Sequence, residues 1–203
     1  VIHGITGSGK TEVYMELIAQ MIARGKQAIV LIPEIALTYQ TVVRFYKRFG
    51  NRVSVMNSTL SPGEKYDQCQ RAKEGDIDVI IGPRSALFTP FPNIGLIVID
   101  EEHETTYKSE SSPKYHARET AAQIAKIHRA SLVLGSATPS LEAYYMAKKG
   151  IYKMFRLTER LTGGCLPTVY TVDLREELRK GNRTIFSYKL QELLADRLEK
   201  GQQ

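Results

Sequence analysis

A three-layer α/β fold with a mainly parallel sheet is the architecture this sequence predicts, and three observations carry that expectation. Short apolar, β-branched runs alternate with longer amphipathic stretches, the pattern of βα units around a sheet. A glycine-rich turn of the form GxxxxGK[ST] sits between an apolar run and an amphipathic one. A later apolar run ends in a cluster of acids, as at the carboxyl end of a parallel strand that faces a ligand crevice.

The elements follow in order. Val1, Ile2 and His3 precede the glycine-rich turn. That is short for a central strand, typically about 5–6 residues, so the natural chain is expected to begin earlier and this one to be an excised fragment. Further strands are expected at 27–32, 53–56, 78–81, 96–99, 132–134 and 168–172. Several are apolar throughout, as strands covered on both faces should be. A helix over 11–24 puts Val13, Leu17 and Met21 beside Ile18 and Ile22 on one stripe and stops at Gly25, a suitable C-cap. Ser61-Pro62-Gly63-Glu64 reads as a helix start, with a Ser N-cap, Pro at the first position and Glu three residues after the cap. Helices are also expected over about 116–128, over 141–148 with Gly150 behind it, and over 187–200. Residues 161–167 read as a loop and 175–183 as a charged turn.

Composition bounds the function. The chain has 203 residues, 42% hydrophobic and 25% charged, which suits one ordinary domain rather than a disordered or fibrous chain. No apolar run approaches the roughly 20 residues that span a bilayer, and the first residues are no signal peptide. Cys69 and Cys165 stand apart, without a CxxC or a Cys/His cluster. A disulfide scaffold and a zinc site are therefore not expected, and a reducing, cytoplasmic setting is. The net charge of +6 permits an anionic partner without naming one.

The chemistry is concentrated in three segments. In Gly4-Ile5-Thr6-Gly7-Ser8-Gly9-Lys10-Thr11, backbone N–H groups can curl round a phosphate at a helix N-terminus. Gly7, Ser8, Gly9, Lys10 and Thr11 are the nucleotide-binding candidates: Lys10 reaches the β/γ-phosphates and the Thr11 hydroxyl holds Mg²⁺. In Leu96-Ile97-Val98-Ile99-Asp100-Glu101-Glu102-His103, Asp100 can share that Mg²⁺ and Glu101 can orient and deprotonate a water. In Gly135-Ser136-Ala137-Thr138-Pro139, the short hydroxyls of Ser136 and Thr138 can bond His103 and report the state of a γ-phosphate. The Asn-Lys-x-Asp element of a GTPase is missing from the sequence. Leu60-Ser61-Pro62-Gly63-Glu64 mimics a transporter-ATPase signature but lies too early and carries a Pro.

The acidic box together with the Ser-Ala-Thr segment resembles the superfamily 2 helicases and translocases. Further segments narrow the resemblance to the replication-restart helicases within it. They are Thr11-Glu12-Val13-Tyr14, Leu31-Ile32-Pro33-Glu34-Ile35-Ala36-Leu37-Thr38, Arg84-Ser85-Ala86-Leu87-Phe88, Tyr115-His116-Ala117-Arg118 and Pro139-Ser140. The resemblance implies a RecA-like, P-loop NTPase lobe over 1–160, the first of two motor lobes. It implies a trailing segment over 161–203 leading to a second lobe, for which 203 residues leave no room. It further implies ATP-driven 3′-to-5′ unwinding of single-stranded and forked DNA, with other primosome proteins and single-strand-binding protein as partners, no membrane, and no zinc in this stretch. Thr38, Arg84 and Ser85 would lie along the DNA track. Tyr107, Tyr115 and Arg118 would serve an aromatic, basic loop suited to stacking on single-stranded bases. The chain departs from the resemblance at Pro83, where Thr is usual, and at Pro113-Lys114, where relatives carry an additional aromatic. Two other readings are a lobe of a RecG-like fork remodeller and a DNA-binding assembly module whose ATP site is dispensable. The fragment alone is expected to hydrolyse ATP poorly.

Overall fold

The computed structural model describes residues 1–161 and 168–202. They gather into two compact units, Val1–Gly164 and Cys165–Gln203. The first is built on a seven-stranded, all-parallel sheet. In chain order its strands are β1 (Ile2–Gly4), β2 (Gln27–Leu31), β3 (Val53–Val55), β4 (Val79–Gly82), β5 (Ile94–Ile99), β6 (Ser131–Ser136) and β7 (Phe155–Leu157). In space they run β3-β4-β2-β5-β6-β1-β7. The expected α/β, three-layer, RecA-like architecture is the one observed.

Alternation along the central strands explains the layers, because successive side chains leave a strand on opposite faces. Ile29 and Leu31 of β2, with Ile97 and Ile99 of β5, pack on one face against α3 (Pro62–Glu74) and α4 (Ala117–His128). Ala28, Val30, Leu96 and Val98 pack on the other, against α1 (Lys10–Ile22) and α2 (Tyr39–Phe49). Both sets are buried, so these strands read as continuous apolar runs.

Local signals set the helix ends. Ser61 and Glu64 form a reciprocal capping box with Pro62 inside the first turn of α3. Ser140 caps α5 (Leu141–Lys148) through the Ala143 N–H. Two elements go beyond the expected set, and two expectations change. Residues 39–49 form α2, a helix the sequence reading passed over. It starts where the Thr38 hydroxyl accepts from the Thr41 N–H. Strand β7 was likewise unforeseen; its three residues gain their place from the edge of β1. In the second unit, 168–172 is no strand: its residues are exposed and form no ladder, so β-forming side chains had nothing to pair with. The expected charged turn contains α6 (Leu174–Arg179), capped by Asp173. Helix α7 (Tyr188–Glu199) follows Ser187, whose hydroxyl accepts from the Leu190 N–H. The loop expected at 161–167, with Cys165, lies outside the described residues from 162 onward.

Candidate nucleotide site

The carboxyl ends of β1, β5 and β6 meet at one rim of the sheet, and the three chemical segments leave from there. The loop after β1 turns through Gly7 at φ +80° and Gly9 at φ +87°, the left-handed region where a Cβ is strained. Gly4 is needed for space as well, since a Cβ there would stand 2.5 Å from Ser8 Oγ. Lys10 is buried, and its Nζ donates to the Gly4 carbonyl at 2.8 Å and lies 3.7 Å from Glu101 Oε1. Ser8 Oγ is buried with no hydrogen-bond partner among the described residues. An orphaned hydroxyl beside left-handed glycines and a lysine is the polar lining that a phosphate would satisfy.

The acidic box begins where β5 ends. Asp100 donates its N–H to the Leu31 carbonyl, continuing the ladder for one more residue. Glu101 then takes φ +47°, rare for a residue with a side chain and the kind of strain that gathers at working sites. Its carboxylate stands between Lys10 and His103, with Oε2 3.6 Å from His103 Nδ1. His103 Nδ1 also lies 2.7 Å from Ser136 Oγ, and the same hydroxyl accepts from the Thr138 N–H at 2.9 Å. The acidic box and the Gly-Ser-Ala-Thr-Pro segment are therefore in direct contact. Ser136 takes part with its side chain and Thr138 with its main chain.

Asp100 itself is held by tyrosines. The Tyr14 hydroxyl donates to Oδ1 at 3.0 Å and the Tyr107 hydroxyl to the main-chain carbonyl at 2.6 Å. Burial raises the Asp100 carboxyl above the ordinary carboxylate range, and the Tyr14 hydrogen bond opposes part of that rise. Both phenols are pushed well upward, first by burial and then by the Asp100 charge, so they stay protonated donors. Thr11 and Tyr14, three residues apart, share the face of α1 whose Tyr14 hydroxyl reaches Asp100. Among the described residues no group of three or more His, Cys, Asp or Glu is placed to hold a metal. One carboxylate, one hydroxyl and nucleotide phosphates fit Mg²⁺, which ordinarily binds through one or two carboxylates plus phosphate.

Glu102 is 2% exposed and serves the frame. Its Oε1 accepts from the Ser140 N–H at 2.7 Å, and its Oε2 accepts from the Ser140 hydroxyl and from Arg118 Nη1 at 3.2 Å. That corrects the expectation for Arg118: its guanidinium is an internal tie between α4 and the acidic box, not a free arm for nucleic acid. Tyr107 is corrected on the same ground. At 1% exposed, with its hydroxyl on Asp100, its ring is core and has no face to offer a base.

Of the remaining candidates, Arg84 and Ser85 line a groove of about 570 Å³ together with Pro33, Glu34, Asn57 and Lys65 among others. Ser85 and Thr38 are exposed. Arg84 donates to the carbonyls of Thr106 and Lys108, at 3.1 and 2.5 Å. Tyr115 meets the half-exposed Phe88 edge to face at 5.2 Å.

The sequence profile of the DEAD/DEAH box helicases matches residues 1–146. The chain belongs to the DEAD/DEAH box helicase family. Within the family it is similar over its whole length to the Replication restart protein PriA of Bacillus subtilis (strain 168), at 51% identity across 203 residues and 25% of that protein. The PriA of Synechocystis sp. is 46% identical over 208 aligned residues, again covering all of this chain and 25% of that protein. The chain thus spans about a quarter of the length of these curated relatives. Among solved structures, RecG bound to a three-way DNA junction matches with a TM-score of 0.55 at 24% identity, covering 78% of this chain and 20% of that one. That likeness concerns the fold alone.

For a DEAD/DEAH box chain, the sequence reading missed Tyr14, Glu102 and Gly135 as parts of the site. Gly135 had one readable signal, a glycine inside an apolar strand, which often marks a close approach. Here a Cβ would fall 1.6 Å from the Tyr14 hydroxyl oxygen.

Proposed function

We propose that the chain is the ATP-binding first motor lobe of an ATP-dependent DNA helicase that acts 3′-to-5′ in replication restart and primosome assembly. The observation that carries this reading is the hydrogen bond between His103 and Ser136, in a chain alike over its full length to proteins named for replication restart. It joins the phosphate-sensing end of β5 to the Ser-Ala-Thr strand. A change at the phosphates can thereby move a second segment.

Lys10 would leave the Gly4 carbonyl and neutralise the β/γ-phosphates. Thr11 and Asp100 would hold Mg²⁺, which when bound adds positive charge at the reacting phosphate. Glu101 would orient the attacking water and accept its proton. The 84–88 segment, with Ser85 exposed at the groove, would carry the backbone of single-stranded or forked DNA, with the exposed Thr38 and with Tyr115, which packs on Phe88, as further contacts. Lys65 at the groove's edge adds charge of the right sign. The relatives' names support replication restart; single-strand-binding and primosome proteins as partners, and a cytoplasmic setting, belong to the same reading. No helix among the described residues is long and apolar enough to cross a membrane.

The test is Lys10→Ala in the full-length protein that carries this lobe, followed by ATP hydrolysis and by unwinding of a forked duplex with each polarity. Loss of both activities, with unwinding in the wild type confined to 3′-to-5′, is the expected result. Unchanged rescue of stalled replication by the variant would instead favour an assembly module that does not use its ATP site.

A further inference from the structure

Asp100 is fixed at three points, and the sheet supplies only one of them. Its N–H bonds β2, its carbonyl accepts from Tyr107, and its Oδ1 accepts from Tyr14. Tyr14 belongs to the core cluster on the α1/α2 face of the sheet and Tyr107 to the cluster on the α3/α4 face. The two phenols therefore reach one residue from opposite sides of the sheet. Each is 1% exposed, and a hydroxyl buried that deeply requires a partner. Many partners would satisfy it, yet both hydroxyls come to the same aspartate. Strand β6 leaves space for one of them by carrying glycine at 135.

We propose that Tyr14 and Tyr107 are a pair of positioning residues for the nucleotide-bound divalent cation, clamping the main chain and one carboxylate oxygen of Asp100 so that Oδ2 is the oxygen offered to the metal. The proposal rests on the reading of Thr11 and Asp100 as the Mg²⁺ pair. Tyr14 extends that pair along α1: the helix that offers the Thr11 hydroxyl to the cation also orients the opposing carboxylate, one turn further on. Tyr107 adds a connection to the groove. The carbonyls on either side of it, Thr106 and Lys108, are those that Arg84 holds. Outer-shell donors of this kind raise metal affinity by fixing the ligand's orientation, and their removal typically costs roughly 10–100-fold.

The experiment uses Tyr14→Phe and Tyr107→Phe, which delete one oxygen each and keep the buried ring. Mn²⁺ binding to the chain with ADP is followed by electron paramagnetic resonance, and ADP affinity is measured separately in EDTA. The expected result is Mn²⁺ affinity weakened roughly 10-fold or more in each variant, at unchanged metal-free ADP affinity. Gly135→Ala, which keeps the Tyr14 hydroxyl but crowds it away from Asp100, should show the same loss of Mn²⁺ affinity in its folded fraction, at a cost in stability. Unchanged Mn²⁺ affinity in folded variants would overturn the clamp. Equal losses with and without metal would also overturn it, because that is what a merely structural hydroxyl predicts. A wild-type chain that binds ADP but takes up no more Mn²⁺ than ADP alone, leaving the free-ion signal unchanged, would overturn the Mg²⁺ reading beneath it.

Discussion

Gly135 and Tyr14 test how tightly the site is fitted at the level of single atoms. A methyl group at 135 would fall 1.6 Å from the Tyr14 hydroxyl oxygen and 2.7 Å from its ring carbon, and β6 is held on both sides by other strands. Overpacking of this kind costs about 1–3 kcal/mol. Gly135→Ala should lower the urea midpoint accordingly, and adding Tyr14→Phe should recover part of the loss, since the nearest clashing atom is then gone. An unchanged midpoint for Gly135→Ala would mean that the phenol has room to move. Arg118 makes a second residue-scale case. Removing its guanidinium leaves the Glu102 carboxylate, whose side chain is 0% exposed, with its Ser140 hydrogen bonds but no opposite charge, and breaking a buried pair from one side costs about 3–5 kcal/mol. Arg118→Ala is therefore expected to act on stability, with Arg118→Met paired to Glu102→Gln restoring much of it. Were Arg118 a DNA contact instead, its loss would flatten the salt dependence of DNA binding and leave the midpoint alone.

At the scale of elements, what could be read from the chain was whatever local chemistry imposes. The glycine-rich turn requires left-handed residues, a Ser-Pro-Gly-Glu start imposes a capped helix, and a doubly covered strand must be apolar at every position. Helix α2, which escaped, is amphipathic, with Val42, Phe45 and Phe49 recurring at helical spacing. Its β-branched and aromatic residues lower its intrinsic helix preference, and only Phe45 is fully buried. Its place is fixed through space, by Phe45 in the core and by Arg44 and Arg48 reaching Glu12 and Glu16 of α1. Strand 168–172 failed in the opposite way, with β-forming residues that found no neighbour. In the site the same division holds. Lys10, Asp100, Glu101, His103 and Ser136 follow from spacing, whereas Glu102, Tyr14 and the burial of Tyr107 depend on which strand lies beside which. An anchor-and-cap account of α2 can be checked directly. Phe45→Ala should cost about 3–5 kcal/mol, the usual range for a buried aromatic. Thr38→Ala, which removes the N-cap acceptor, should cost about 1 kcal/mol. Comparable losses from both would mean that α2 depends on its cap as much as on its packing.

At the scale of the whole molecule, the question is how much of the proposed motor these residues contain. Lys10, Thr11, Asp100, Glu101, His103 and Ser136 all belong to the unit Val1–Gly164, so the proposed nucleotide contacts and the His103–Ser136 hydrogen bond lie in one body. Transition-state charge on a transferring phosphoryl group is another matter. Arg118 is committed to Glu102 and Arg84 to two carbonyls, so neither adds charge to Lys10 at the phosphates. An arginine supplied from another body contributes about 10³–10⁵ in rate in enzymes of this chemistry. The 203 residues cover about a quarter of their PriA relatives, which leaves ample chain in those proteins to furnish such a group. These residues alone are thus expected to bind nucleotide while releasing phosphate slowly, with little response to single-stranded DNA, and a protein of the relatives' length should show both fast turnover and DNA stimulation. Phosphate release with and without an oligonucleotide separates the cases. Rapid, DNA-stimulated turnover by the 203 residues would mean that the catalytic cation lies within this lobe after all, and Arg84, released from its carbonyls when DNA occupies the groove, would be the first residue to replace.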